Sequence, residues 1–133
     1  MDNEYNNALA KVRIERADEL LSEAKVLLDG ESFKSANNRA YYAIEKSLNA
    51  LLAAKGVETS THSGCLKQFN FHYIHQGDGT FTSEDYRIVS MAEQIRTVSD
   101  YDDFYIANKE ESAEQVHNAE YFVDKVRKYL NLK

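Results

Sequence analysis

Proline and tryptophan are absent from the 133 residues, which include one cysteine and five glycines. Because proline breaks helices and glycine weakens them, this composition suits an all-helical chain. A single cysteine excludes an intramolecular disulfide framework. No apolar run approaches the roughly 20 residues that a membrane-spanning helix needs, and the polar start of the chain does not look like a signal peptide. We therefore expect a soluble, cytoplasmic protein with no membrane association.

The charge balance is acidic, with 22 Asp and Glu residues against 16 Lys and Arg, for a formal net charge of −6. Such a chain gains no general electrostatic attraction to a phosphate backbone, which argues against a general nucleic-acid-binding protein. The net charge does not exclude a small basic site that is formed locally or across a dimer. The length is that of one domain, so the sequence predicts a single domain over residues 1–133.

The chain is organised around the segment 35–56, which is rich in the strong helix formers Ala and Leu. Three rows at helical spacing run along this segment. The row of small residues consists of Ala36, Ala40, Ala43, Ser47, Ala50 and Ala54. The row of bulky residues consists of Tyr41, Ile44, Leu48 and Leu51. The polar–aromatic row consists of Arg39, Tyr42, Lys46 and Asn49. An apolar arc this wide predicts a central helix with several neighbours, and Gly56 is expected to end it.

Four further helices are predicted around this one. A helix over 6–29 ends at Gly30 and forms a hairpin with the central helix, and a shorter helix covers 64–75. A third helix begins near Thr82, where Thr82 and Asp85 fit a capping box. An apolar row predicts the packing seam of this third helix and consists of Ile88, Met91, Ile95 and Val98.

The last helix is predicted to begin after Asn108 and to run to about residue 130. Its inner row consists of Val116, Ala119, Val123, Val126 and Leu130. Nothing in the sequence reads as a strand. The predicted fold is therefore all-α, an antiparallel up-and-down four-helix bundle with one short additional helix.

Arg39 and Tyr42 lie one turn apart on the central helix and are the first candidate site. A guanidinium beside a phenol can bind phosphate and stack on a base. The alternative is that Tyr41 and Tyr42 pack in the core or an interface while Arg39 pairs with a carboxylate. The spacing alone favours this packing interpretation.

Arg96 and Asp100 form a second candidate, because residues four apart can pair on a helix surface. Asp100, Asp102 and Asp103 could instead hold a divalent cation, but the glycine-containing loop of a calcium site is missing.

Two of the four histidines, His72 and His75, have a spacing that can bind a metal, but no third ligand lies at a matching offset. His62 and His117 are isolated in sequence. No nucleophile elbow, phosphate-binding loop or cysteine-pair zinc motif is present. The sequence therefore predicts no metal, no cofactor and no catalytic residue.

With these residues in place, the chain resembles the stand-alone prokaryotic HEPN-domain proteins that are often encoded beside a small nucleotidyltransferase. The resemblance lies in RAYYAIEKSLNALLAAKG, in THSGCLKQFNFHYI, in IRTVSDYDDF and in a closing AEYFVDKVRKYL. It covers about residues 14–130. It implies an antiparallel four-helix bundle with a short extra helix, commonly paired into a homodimer.

Many proteins of this family resemble metal-independent RNase toxins, with an Arg followed after four to six residues by a His. Arg96 matches the motif Arg, but the positions where the His is expected hold Tyr101, Asp102 and Asp103. The imidazole that would handle the 2′-hydroxyl or leaving group is therefore missing. The branch of the family that carries a DYDDF-like sequence at this position is regarded as a partner or nucleotide-binding subunit of a nucleotidyltransferase.

Three functional hypotheses follow. The first is a non-catalytic HEPN-like module, a homodimer that serves a small nucleotidyltransferase as its partner and binds a nucleotide, RNA or another substrate. The second is an RNase toxin of a toxin–antitoxin pair with a degenerate Arg–His site, and the third is a structural dimerisation domain. Under the first, the ligand or partner face consists of Arg39, Tyr42, Arg96, Asp100, Tyr101 and Asp103.

Overall fold

The computed structural model describes residues 3–132, and the regular structure within that range is entirely helical. The helices are α1 (Asn3–Asp29), α2 (Phe33–Ala54), α3 (His62–Phe69), α4 (Ser83–Tyr101) and α5 (Lys109–Tyr129), and a π-helical segment, Asn70–His75, continues α3. The predicted all-α bundle is thus confirmed. Met1, Asp2 and Lys133, the ends of the predicted domain, lie outside the described residues.

Helix α2 is the centre of the bundle, as its composition predicts. It packs against α1, α3, α4 and α5, and a connection of three residues makes α1 and α2 neighbours. The bulky row of α2 is buried throughout, and the small row is buried from Ala36 to Ala50. Side chains this small let the backbone of a neighbouring helix approach closely, which accounts for the wide buried arc.

Most of the helix ends follow local rules. Thr82 and Asp85 form the predicted capping box, and Gly56 has the left-handed φ of 73° expected of a residue that ends a helix. Helix α1 ends at Asp29, directly before Gly30 as predicted, and the left-handed residue of the connection is Glu31, with φ of 62°. A non-glycine residue in this conformation costs about 1 kcal/mol, which the tight α1–α2 connection imposes.

The buried face of helix α4 differs from the face predicted from the sequence. The predicted seam of Ile88, Met91, Ile95 and Val98 is partly exposed, and Met91 is open to solvent. The buried face lies about one residue further along and consists of Asp85, Val89, Ala92, Arg96 and Ser99. The reason is that two charged residues of α4 find partners on other helices. The Asp85 carboxylate pairs with Lys125 of α5, and the Arg96 guanidinium lies against the ring of Tyr41 of α2.

An aromatic cluster fills the core beside the π-helical segment. Phe69 lies 5.6 Å from Phe81 and 5.8 Å from Phe122 between ring centroids, in edge-to-face geometry. Phe81 lies in the turn before α4, and the sequence pattern did not predict that this residue is buried. In the part of the chain described here, no helix is long and apolar enough to cross a membrane.

Candidate functional site

The guanidinium of Arg96 lies inside a group of three tyrosine rings. Its central carbon is 5.2 Å from the ring centroid of Tyr41 and 5.8 Å from those of Tyr42 and Tyr101. Tyr41 and Tyr42 come from α2, whereas Tyr101 is the last residue of α4. We call these three residues the tyrosine cage. It ties the C-terminal end of α4 to the central helix through cation–π contacts.

Arg96 keeps its charge in this environment although only 6% of its surface is exposed. Burial alone would lower the pKa of Arg96, but Tyr42, Tyr41 and Asp100 raise it above its ordinary value. The carboxylate of Asp100 lies 3.6 Å from the guanidinium, so the pair predicted from the i, i+4 spacing is present but not tight. Arg96 is therefore held mainly by aromatic faces and by one neighbouring acid.

Arg39 is placed differently from Arg96. Its side chain is 42% exposed and donates to Glu23 of α1 at 2.8 Å and to Asn38 at 2.6 Å. Asn38 in turn donates to Asp100 at 2.9 Å, which links Arg39 indirectly to the end of α4. The carboxylate pairing of the packing interpretation is thus present, yet the guanidinium remains reachable from solvent.

Of the six predicted face residues, the structure brings four into one cluster: Tyr42, Arg96, Asp100 and Tyr101. Arg39 joins this cluster through Asn38. Asp103 lies apart, on a neighbouring cavity of about 600 Å³ that Phe33 and Tyr105 also line. The predicted face is therefore continuous except for Asp103.

An open cavity of about 400 Å³ lies where the start of α2 meets the end of α4. We call it the α2–α4 cavity, and its lining residues are Lys34, Ser35, Asn38, Arg39, Ser99 and Asp100. Two cations, two hydroxyls and an amide thus face one carboxylate. The sequence pattern did not single out Lys34, Ser35 or Ser99, because only the fold brings the ends of two helices together here.

The connection from α4 to α5 exposes a row of large apolar side chains. Tyr101, Phe104 and Ile106 are 74%, 94% and 85% exposed, and we call them the corner surface. Single exposed apolar residues are ordinary, but several close together mark an interaction site more often than chance. Asp102 shapes the connection, since its carboxylate accepts a hydrogen bond from the amide of Phe104.

His62, isolated in sequence, is paired in the structure. Its Nδ1 contacts the carboxylate of Glu45, which also accepts a hydrogen bond from the Tyr41 hydroxyl at 2.9 Å. The imidazole lies edge-on to Tyr41 and Tyr42, on the same two rings that hold Arg96. No spacing rule could have found this pair, because Glu45 and His62 are 17 residues apart on different helices.

The His62–Glu45 pair borders a polar cavity of about 360 Å³. Cys65 also lines it, but burial raises the pKa of this thiol to about 12, with a further contribution from the charge of Glu45. A thiol that stays protonated is not a nucleophile. This cavity therefore offers an imidazole but no reactive sulfur.

His72 and His75, weighed as a metal pair from their spacing, pack against an aromatic ring instead. Phe71 lies 5.0 Å from His72 and 6.1 Å from His75 between ring centroids. Within residues 3–132, no three His, Cys, Asp or Glu side chains are grouped so that they could hold a metal ion.

Comparison with known proteins gives a consistent set of similarities. The family profile described as HEPN domain matches residues 10–129. A Methanocaldococcus jannaschii protein named "Putative toxin" is 36% identical over 118 residues, which is 88% of this chain and 85% of the relative. A Thermotoga maritima protein named "UPF0332 protein" is 35% identical over 115 residues, or 86% of both chains. A second M. jannaschii "Putative toxin" is 31% identical over 130 residues, covering 98% of this chain and 86% of the relative.

Proposed function

This chain belongs to the HEPN domain family, and on that premise we propose that it is a non-catalytic binding module, the partner subunit of a small nucleotidyltransferase. The observation that carries the proposal is the tyrosine cage. Tyr101 stands where an RNase of this family would need an imidazole, and its ring covers the motif Arg96. Because three rings enclose this guanidinium, it can hold the end of α4 in place, but a scissile phosphate has little access to it.

The corner surface supports a partner role. Tyr101 belongs to the tyrosine cage, and Phe104 and Ile106 follow it in the connection, so the corner surface is anchored to the core at one end. A surface that is anchored before binding loses less conformational entropy on binding, which raises its affinity for a partner. The resemblance to nucleotidyltransferase-associated proteins is the reason for choosing that class of partner.

A homodimer is part of the proposal. The apolar row of α4, Ile88, Met91, Ile95 and Val98, is partly exposed although its 3-4-3 spacing is that of a packing seam. A second copy of the same helix would cover it symmetrically, as in most two-fold dimers. The third hypothesis, a dimer without any ligand, is disfavoured because Arg39 is exposed beside an open cavity.

The proposal predicts a small nucleotidyltransferase gene beside this one, and co-expression of the two proteins tests it. The tagged chain is expected to retain that protein through affinity and size-exclusion steps, and Phe104→Asp should reduce the retained amount at least tenfold by placing a charge in the contact. Val12→Asp is the matched control, since Val12 is 60% exposed on α1 and its neighbour Arg13 contacts Asn49, near the opposite end of α2. Retention that is equal in both variants, or absent in the unmodified chain, would refute the partner role.

A second candidate function, an RNase toxin, has two observations in its favour. Relatives that are 36% and 31% identical carry the name "Putative toxin". In addition, His62 lies on the same two tyrosine rings as Arg96, so an imidazole is present near the motif Arg after all. Under this candidate His62 would replace the motif histidine as the group that accepts a proton.

A further inference from the structure

The imidazole of His62 is held by a carboxylate at one ring nitrogen and is open at the other. Its Nδ1 contacts the carboxylate of Glu45, and an ionised carboxylate only accepts hydrogen bonds, so Nδ1 carries a proton and is the donor. In the neutral imidazole the second nitrogen, Nε2, then keeps its lone pair. No side chain within residues 3–132 forms a hydrogen bond with Nε2, and the His62 side chain is 39% exposed.

The carboxylate of Glu45 is itself fixed in place. Its side chain is only 12% exposed, and the Tyr41 hydroxyl donates at 2.9 Å to the same oxygen that contacts His62. The rings of Tyr41 and Tyr42 lie 5.5 and 5.9 Å from the imidazole between centroids, in edge-to-face geometry. One carboxylate and two rings thus hold the imidazole in a defined orientation, so little ordering is needed before Nε2 reacts.

A carboxylate at Nδ1 makes Nε2 a better nucleophile. When Nε2 forms a bond to an electrophile, the ring becomes cationic, and the neighbouring carboxylate stabilises that charge. Histidine is among the side chains that form covalent intermediates in this way. Because the Cys65 thiol on the same cavity stays protonated, the imidazole is the nucleophile that this cavity offers.

The walls of the cavity favour a phosphoryl group as the electrophile. Thr59, Ser60 and Thr61 line it with hydroxyls, and α3 begins at His62 itself. Hydroxyls and the amides that open a helix are common donors to phosphoryl oxygens. Glu45 is the one acid among the lining residues, and from residue 59 to residue 77 the chain contains no Asp or Glu. Repulsion of an anion is therefore weaker here than on most of this acidic chain.

We propose that His62 is a phosphoryl-acceptor site, at which Nε2 takes the phosphoryl group of a phosphoramidate, a compound with a P–N bond. The Nε2 lone pair forms the new N–P bond while the P–N bond of the donor breaks and its nitrogen keeps the electron pair. With phosphoramidate itself, whose nitrogen is protonated, the leaving group is neutral ammonia. The Nδ1 proton is then released to solvent past Glu45, which leaves the phosphorylated ring uncharged.

The modification would act on the tyrosine cage. It places negative charge beside Tyr41 and Tyr42, the two rings that also hold Arg96. Glu45 is a positioning residue in this scheme, because it touches the imidazole and not the phosphoryl group. The reaction requires neither a bound partner nor the motif arginine, so it goes beyond the proposed binding role.

Incubation of the chain with potassium phosphoramidate, followed by mass spectrometry of its peptides, tests the proposal. Exposure alone predicts that His75 and His117, which are exposed, react before half-buried His62. In residues 3–132, however, His62 is the one histidine whose ring contacts a carboxylate. We therefore expect the opposite order, with His62 labelled about tenfold faster than His75 or His117. Phosphorus NMR should place the group on Nε2, and His75→Gln, the control, should leave labelling of His62 unchanged.

Two substitutions of Glu45 separate positioning from fold. Glu45→Ala should slow the labelling of His62 about tenfold and let the phosphoryl group appear on Nδ1 as well, because neither the charge nor the acceptor remains. Glu45→Gln keeps an acceptor for Nδ1, so labelling should stay on Nε2 but remain slow. The labelling rate of His75 is the internal standard and should be equal in all variants, with circular dichroism as the check on fold.

Three results would overturn the inference. The first is labelling of His75 or His117 as fast as that of His62. The second is no label on His62 while free histidine in the same solution reacts. The third is an unchanged rate and position of labelling in Glu45→Ala, which would show that the carboxylate does not activate the ring.

Discussion

Replacing Asp85 by alanine is expected to lower the free energy of unfolding by about 2–4 kcal/mol, from the loss of a helix cap and of hydrogen bonds to a charged group. Asp85 is 1% exposed, and its carboxylate accepts hydrogen bonds from Lys125 at 2.8 Å and from the Tyr121 hydroxyl at 2.9 Å. It also accepts one from the Thr82 amide, which completes the α4 capping box. Alanine would leave all three donors without this partner.

The pH dependence of stability gives this prediction a second observable. Burial alone would raise the pKa of Asp85, but the hydrogen bonds from Lys125, Thr82 and Tyr121 outweigh it and hold the pKa below its usual value. A carboxyl with a depressed folded-state pKa stabilises the fold above its unfolded pKa, about 3.9, and loses that contribution as the pH falls through the folded value. Asp85→Asn should therefore flatten the acid limb of the stability curve.

Urea unfolding of the unmodified chain and its variants, between about pH 3 and 7, measures both effects. Glu84→Ala is the matched control, since Glu84 is the neighbouring acid on α4 and forms an ion pair with exposed Arg87. An exposed pair of this kind contributes less than about 1 kcal/mol. Similar losses for Asp85→Ala and Glu84→Ala would show that the buried network contributes little.

Arg96→Ala is expected to destabilise the protein by about 2–4 kcal/mol and to loosen the end of α4. The substitution removes cation–π contacts with three rings, each of which contributes about 0.5–2 kcal/mol, and it leaves a void in the tyrosine cage. Since the cage holds the end of α4 to α2, its loss should spread to the corner surface. Amide hydrogen exchange should therefore quicken over residues 99–107 more than over α5.

Arg96→Met separates packing from charge. Methionine fills much of the space and adapts to aromatic surroundings, so this variant should recover roughly half of the stability lost in Arg96→Ala. Hydrogen exchange at the corner surface should recover in parallel. Unchanged stability and exchange in Arg96→Ala would contradict a structural role for the cage and would leave Arg96 free for chemistry.

The helices and their core could be predicted from sequence because apolar spacing is a local property. The rows of α2 and α5 that repeat every three or four residues are largely the rows that are buried. The rule failed on α4, where the most regular apolar row is not the buried one. There Asp85 and Arg96 face inward because residues on other helices satisfy their charges, and no pattern within α4 encodes those partners.

The candidate site was predicted only where its members lie within a few residues of one another. Arg96, Asp100 and Tyr101 share one helix end, and Tyr42 adds the one contact across helices that the resemblance implied. Lys34 and His62 were not predicted, because their roles depend on how the start of α2 and the start of α3 lie against other elements. Asp103, one of the positions where the motif histidine is expected, lines a different cavity.

Incubation of the purified chain with single-stranded RNA tests most directly whether the end of α4 holds a ligand or cuts one. The Arg96→Ala and His62→Ala variants serve as probes, and Arg87→Ala, an exposed arginine on the same helix, is the control. Because the cage encloses the motif guanidinium and a tyrosine replaces the motif imidazole, the RNA should remain intact with all four proteins. RNA cleavage that persists in Arg87→Ala and disappears in Arg96→Ala would contradict the binding role and establish the ribonuclease.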